Sequence, residues 1–297
     1  MTYSIVAREP ATGDLGVAVQ SHWFSVGSIV TWGRAGVGAV ATQSIAEPAY
    51  GPRLLDRLAV GETPAAALKV ELAADDRARF RQVAAIDHAG RVAAHTGKSC
   101  IPFAGHLEGN GFSSQANMMG SEEVWPAMAS AFEAADGPLA RRLLAALDGG
   151  EAAGGDVRGR QSAAVLVVPA QGEPWRRKVE LRIEDHPDPL GELRRLLDLR
   201  EAYDLADEAD ELASAGRFEE AGEWGRRALE LAPDSAELMF WGGLALAQQG
   251  QVDRGVALVR RAIELHAGWA DLLGRLSHEI APGAQVVREV LTLDRSS

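Results

Sequence analysis

Residues 202–235 and 236–269 align at an offset of 34 residues without a gap, and this repeat constrains the fold more than any other feature of the 297-residue chain. Gly216 matches Gly250, Arg226-Arg227 match Arg260-Arg261, and Ala228-Leu229-Glu230-Leu231 match Ala262-Ile263-Glu264-Leu265. A repeat of this length is one supersecondary unit that cannot bury its apolar face alone and must stack on a neighbour. The matched glycines mark a turn between two helices, and the matched alanines lie where helices pack closely. Residues 201–281 are therefore expected to be all-α helical pairs. Two units fall short of the roughly three that make a freestanding array, so residues 269–280 are expected to add a capping helix. Residues 282–297 are read as a C-terminal tail. A plain bundle of four or five helices is the alternative reading.

The period, the glycine at the inter-helix turn, Ala221 and Pro233 resemble the tetratricopeptide repeat. The chain departs from that pattern at Gly255, where a small alanine is expected, and at Gly225 and Val259, where an aromatic is expected.

Upstream, the periodicity changes. Residues 3–8 and 15–20 are apolar runs separated by Glu9-Pro10-Ala11-Thr12-Gly13-Asp14, which reads as a β-hairpin. Residues 35–42 form another strand-like run, and residues 82–87 and 91–96 a second hairpin. Helices are expected after Pro52, at Thr63-Pro64, from Ser121 to about Ala135, and from Pro138 to Gly149-Gly150. Residues 161–169 and 179–184 are the last strands. Asp188-Pro189 then opens a connecting helix over 187–200. Strands and helices clustered in this order predict an α+β domain over residues 1–186, with stacked sheets covered by helices rather than a parallel βαβ wind.

Charge and cysteine content exclude several functions. The balance of 30 basic against 42 acidic residues gives a net charge of -12, which disfavours nucleic acid or an anionic membrane as partner. Cys100 is the only cysteine, so neither an intramolecular disulfide nor a zinc site with two thiolates is expected. Its expected fate is a buried, inert thiol. The seven histidines stand in no metal-binding spacing, and neither a metal nor a cofactor is expected. Gly36-Val37-Gly38-Ala39-Val40-Ala41 matches the G-x-G-x-x-A dinucleotide pattern, but the glycines lie inside a strand-like run with poor helix material after it. The first residues carry no basic segment followed by a long apolar stretch, and no run reaches the ~18 apolar residues of a membrane span. A soluble, reducing, cytoplasmic setting is expected.

Thr2 follows the initiator Met1, and small second residues permit removal of that methionine. A terminal threonine then carries its own base, because an α-amine of pKa about 7.7–8.0 lies beside the hydroxyl it must deprotonate.

Several motifs occur together and in order: residues 2–8 (TYSIVAR), residues 36–43 (GVGAVATQ), Ala49-Tyr50-Gly51-Pro52, Gly154-Gly155-Asp156, Gln161-Ser162 and Asp185-His186-Pro187-Asp188-Pro189. In these, residues 2–197 resemble the bacterial family DUF1028, grouped with the N-terminal nucleophile (Ntn) hydrolases. The resemblance implies a four-layer αββα sandwich and an amidohydrolase acting on a small, amide-like C–N substrate. It implies Thr2 as the nucleophile and Arg34 as the basic residue that lowers the nucleophile's proton affinity. Gln115 and Asn117 would be donors to a developing oxyanion, and Asp156 and Ser162 would orient the terminal amine. The family's Q-G-N segment is Gln115-Ala116-Asn117 here, which questions any backbone conformation there that needs glycine. The competing reading is a non-catalytic scaffold whose repeats recruit a protein or peptide of basic or apolar character.

Overall fold

The computed structural model describes residues 2–294, with side chains to Thr292. The chain divides into two compact units, one ending at Leu197 and the other beginning at Asp198.

In chain order the first unit contains β1 (Thr2–Arg8), β2 (Leu15–Ser21), a single helical turn α1 (Gly27–Val30), β3 (Thr31–Arg34) and β4 (Gly38–Ser44). Helices α2 (Tyr50–Ala59) and α3 (Pro64–Ala73) precede β5 (Arg81–Asp87), β6 (Val92–Thr96), β7 (Gly105–Gly109) and β8 (Phe112–Asn117). Then come α4 (Val124–Ala134), α5 (Leu139–Ala152), β9 (Ser162–Val168) and β10 (Val179–Ile183). The strands form two sheets, ordered β10-β9-β2-β1-β8-β7 and β3-β4-β5-β6, with antiparallel pairing throughout.

Successive strand residues point to opposite faces, so each face can be read from its apolar set. On β1, Tyr3, Ile5 and Ala7 pack with Met128 and Phe132 of α4 and with Leu143 and Leu147 of α5. Val6, and Leu15, Val17 and Val19 of β2, face Ala39 and Ala41 of β4 and Ala84 and Ile86 of β5. The outer face of the second sheet carries Val40, Val83 and Ala85, covered by Tyr50, Leu54 and Leu58 of α2 and Leu68 of α3. The unit is thus layered helix, sheet, sheet, helix.

The two expected hairpins are β1–β2 and β5–β6. Strands β3, β7 and β8 were not expected from the sequence. The Gly36-Val37-Gly38 motif forms the turn between β3 and β4, closed by Val37 N–H donating to Arg34 O. It is a strand-to-strand turn, and offers no helix N-terminus to a phosphate.

Helix α6 (Pro189–Ser214) contains most of the segment read as a connecting helix over 187–200. It is followed by α7 (Phe218–Leu231), α8 (Ala236–Gln248), α9 (Val252–Leu265), α10 (Gly268–Arg275) and α11 (Gly283–Asp294). The repeat appears as two helical pairs whose turns hold Gly216 and Gly250 at φ of +77° and +85°. Gly255 is small for a steric reason. A Cβ there would lie 2.4 Å from Gly243 O and 2.9 Å from Ala247 N, so α8 and α9 touch backbone to backbone. Within the segment read as a C-terminal tail, Ala284 and Val287 of α11 are buried beside Phe240, Val256 and Val259. Residues 295–297 of that segment lie outside the described residues. No helix among the described residues is long and apolar enough to cross a membrane.

Candidate active site

The layer between the sheets is apolar along most of its length and polar at one end. At that end β1 presents Thr2 and Ser4, β8 presents Ser113, Gln115 and Asn117, and β4 and β5 present Gln43 and Gln82. Register brings them together: Thr2 pairs with Asn117, Ser4 with Gln115, and Gln43 with Gln82. All are buried and none carries a charge. Buried polar groups persist only when hydrogen-bonded, and these bond to one another.

Gln82 is the hub. Its Oε1 accepts from Gln43 Nε2 at 2.7 Å and from Asn117 Nδ2 at 2.9 Å. Its Nε2 donates to Ala116 O (2.8 Å), Thr96 Oγ1 (2.9 Å) and Gly105 O (3.1 Å). Gln43 Nε2 and Asn117 Nδ2 also donate to Thr2 O, at 3.1 and 3.3 Å, fixing the first peptide of β1. Ser4 Oγ donates to Gln43 Oε1 and accepts from Gln115 Nε2, both at 2.7 Å.

Thr2 lies at the floor of a cavity of about 370 Å³. Its Oγ1 donates to Ser21 Oγ at 3.1 Å, which sets the hydroxyl rotamer. Gln43, Ser44 and Asn117 complete the floor, and Trp23, Val26, Ile29, Val30, Ile45 and Ile101 form the walls. The wall at Ile45 is pinned from outside. Arg81 Nη1 donates to Ile45 O at 2.6 Å while its Nε donates to Asp75 Oδ2 at 2.7 Å. That hydrogen bond holds the Asp75 carboxyl below its ordinary range.

Backbone strain is concentrated around this cavity. The non-glycine residues at positive φ are Ser25, Ser44, Phe103 and Met118. Ser44 lines the cavity, Ser25 and Met118 are chain neighbours of Val26 and Asn117, and Phe103 is two residues from Ile101. Conformations of this kind cost of order 1–3 kcal/mol each and persist where the surroundings enforce them, most often at functional sites.

The expected site residues divide. Asn117 is at Thr2 and lines the cavity. Gln115 is one register step deeper, with its amide committed to Ser4 and its Oε1 accepting from Ser113 Oγ at 3.0 Å, so it does not face the cavity. Ala116 is a regular, buried strand residue and needs no glycine conformation. Asp156 accepts from His22 N–H at 3.0 Å and pairs with Arg158 at 2.9 Å. Ser162 Oγ donates to Trp23 O and accepts from Val26 N–H at 3.1 Å. Both residues hold the 22–26 loop that builds the cavity wall. Arg34 is not brought to Thr2. It is at the turn end of β3, paired with Gly38, and its guanidinium donates to Asp56 at 2.7 Å on the surface. The removal of Met1 lies outside the described residues.

Sequence reasoning did not single out Ser21, Gln43 or Gln82. Gln43 and Gln82 are signalled by being long polar residues within apolar strand runs, and Gln43 also by closing the residue 36–43 motif. Cys100 is half-buried, its thiol 3.5 Å from Arg81 O. Among the described residues no group of three His, Cys, Asp or Glu side chains is placed to hold a metal ion.

A family model described as "Family of unknown function (DUF1028)" matches residues 2–193. The crystal structure of a Silicibacter pomeroyi protein assigned to the same family model is 35% identical, covering 66% of this chain and 87% of that one, with a TM-score of 0.61. Anbu (ancestral beta-subunit) from Yersinia bercovieri is 12% identical, covering 65% of this chain and 92% of that one, with a TM-score of 0.34. No curated protein matches the chain.

Proposed function

The chain belongs to the DUF1028 family, and we propose that it is an Ntn-type amidohydrolase whose nucleophile is Thr2. The observation that carries this reading is the position of Thr2: first residue of a buried central strand, at the floor of a cavity, with its hydroxyl oriented by Ser21. The helix-sheet-sheet-helix layering is compatible with that superfamily.

In the proposed reaction, loss of Met1 exposes the α-amine of Thr2. The amine takes the Oγ1 proton as the oxygen attacks the substrate carbonyl. The C–N bond breaks as that proton passes to the departing nitrogen, leaving an ester on Thr2. Water then adds to the ester, giving a proton through the amine to Oγ1, and a carboxylic acid leaves. Asn117 and Gln43 keep the Thr2 carbonyl fixed, while Asp156 and Ser162 act on the cavity wall.

We read the second unit as a tetratricopeptide-like pair of hairpins that docks a protein segment. Its groove of about 340 Å³ is lined largely by alanines, glycines and leucines of α6–α9, with Trp241 part-exposed and Asp210, Arg226 and Arg254 as its charged members. A segment of apolar character suits that lining.

The test of the nucleophile is a comparison of Thr2→Ser with Thr2→Ala in turnover of a broad amide panel. Thr2→Ser keeps a hydroxyl and should retain partial activity, whereas Thr2→Ala should abolish it with folding intact. Equal turnover by wild type and Thr2→Ala would remove Thr2 from the mechanism.

A further inference from the structure

The cavity over Thr2 has chemistry of its own, and resting on the nucleophile reading above, we infer that it takes an amide whose acyl group is apolar and uncharged. No lining side chain is ionisable, and the one titratable group the reading above adds is the Thr2 amine beside the scissile bond. The walls are Trp23, Val26, Ile29, Val30, Ile45 and Ile101, and the polar floor consists of neutral amides and hydroxyls.

Charged groups near the cavity are already committed elsewhere. Arg81 is paired with Asp75 and turned to the far side of the 45–46 backbone. Asp156 is neutralised by Arg158, and Glu47 accepts from Ala49 N–H. A carboxylate or ammonium at the far end of the acyl group would therefore lose its water among the apolar walls, away from the Thr2 amine at the scissile bond, and meet no side-chain counter-charge, a cost a neutral chain avoids.

The floor amides do not substitute for a charge. Gln43 and Asn117 direct their N–H groups at Thr2 O and Gln82. Apolar character also continues to the mouth, since Trp23, Ile45 and Ile101 remain 58%, 43% and 42% exposed while lining the cavity. Size agrees with this class of substrate. An apolar cavity of about 150 Å³ holds benzene, so about 370 Å³ accommodates an aromatic ring or a medium alkyl chain together with the amide.

Three probes of equal length separate charge from shape: hexanamide, adipic acid monoamide and 6-aminohexanamide. Dissociation constants are measured by ligand-observed NMR on the full-length Thr2→Ala protein, where turnover cannot interfere. Hexanamide should bind about tenfold or more tightly than either charged probe, the margin set by ion desolvation. Ile45→Arg adds a cation at an exposed rim position, and should shift preference toward adipic acid monoamide by about tenfold through a charge-assisted contact.

Equal or tighter binding of either charged probe would overturn the inference. So would no detectable binding of hexanamide, or binding indifferent to Ile45→Arg, which would place it elsewhere. The nucleophile reading is judged separately by ammonia release from hexanamide with the wild-type protein. Selective binding without release would leave the apolar pocket standing and remove the hydrolase.

Discussion

Replacing Gln82 by methionine tests whether the site rests on a buried amide network. Methionine is of similar length and is unbranched, so little cavity is created. What is lost is polar. Gln82 Oε1 holds one hydrogen of Gln43 Nε2 and one of Asn117 Nδ2. Its own two amide hydrogens are shared among Ala116 O, Thr96 Oγ1 and Gly105 O. Thr96 is able to turn its hydroxyl to another partner, and Gln43 Nε2 keeps Thr2 O and Gln115 O, at 3.1 and 3.4 Å, for its two hydrogens, but one hydrogen of Asn117 Nδ2 is left without an acceptor. At about 1–3 kcal/mol for that orphaned group and about 1 kcal/mol for the remaining hydrogen bonds lost, the cost is roughly 2–4 kcal/mol. At 1.36 kcal/mol per decade this is a rise of about 30-fold to 10³-fold in the opening constant of the first unit. Hydrogen exchange followed by mass spectrometry on the full chain reads it directly. Peptides covering β1, β4, β5 and β8 should lose protection by that factor, while those from α8 and α9 keep theirs. Protection in the four strands unchanged within about threefold, well under 1 kcal/mol, would show that the network contributes little and would refute the reasoning.

Two further substitutions follow from the geometry. Arg34→Met removes a surface ion pair with Asp56, so it should change stability by less than about 1 kcal/mol and leave turnover at the wild-type level; a selective loss of turnover would return Arg34 to the site. Gly255→Ala raises helix propensity by about 1 kcal/mol, yet its methyl would meet Gly243 O at 2.4 Å. It should therefore lower the melting temperature of the helical unit through a net cost of about 1–3 kcal/mol; an unchanged or higher value would contradict the backbone contact of α8 with α9.

The scaffold was more legible in the sequence than the site, and the reason is physical. Hairpins β1–β2 and β5–β6 announce themselves as apolar runs flanking turn residues. The strands β7 and β8 do not, because residues 105–117 carry Ser, Gln, Asn and His in positions that a core strand usually fills with apolar side chains. Their buried polar residues are satisfied by partners distant in sequence, Ser4 for Gln115, Trp125 O for Ser114 and Gln82 for Asn117, pairings that no local pattern reveals. Thr2 was read from its place behind a removable Met1 and then from the family resemblance, Asn117 from the resemblance alone, and both lie at the cavity. Arg34 was placed at the nucleophile by the same route, and the short β3 strand carries it away to the surface. The repeat glycines were readable as turns, whereas the need for Gly255 required knowing how closely α8 and α9 approach.

Thr2 can act as proposed only if its amine is free and its hydroxyl is reactive, and intact-mass analysis of the purified protein after exposure to an electrophilic amide or lactone probe measures both at once. The account predicts a protein lacking Met1, carrying a single acyl adduct on Thr2 that is absent from Thr2→Ala. A retained Met1, or an adduct that forms equally on Thr2→Ala, would contradict it.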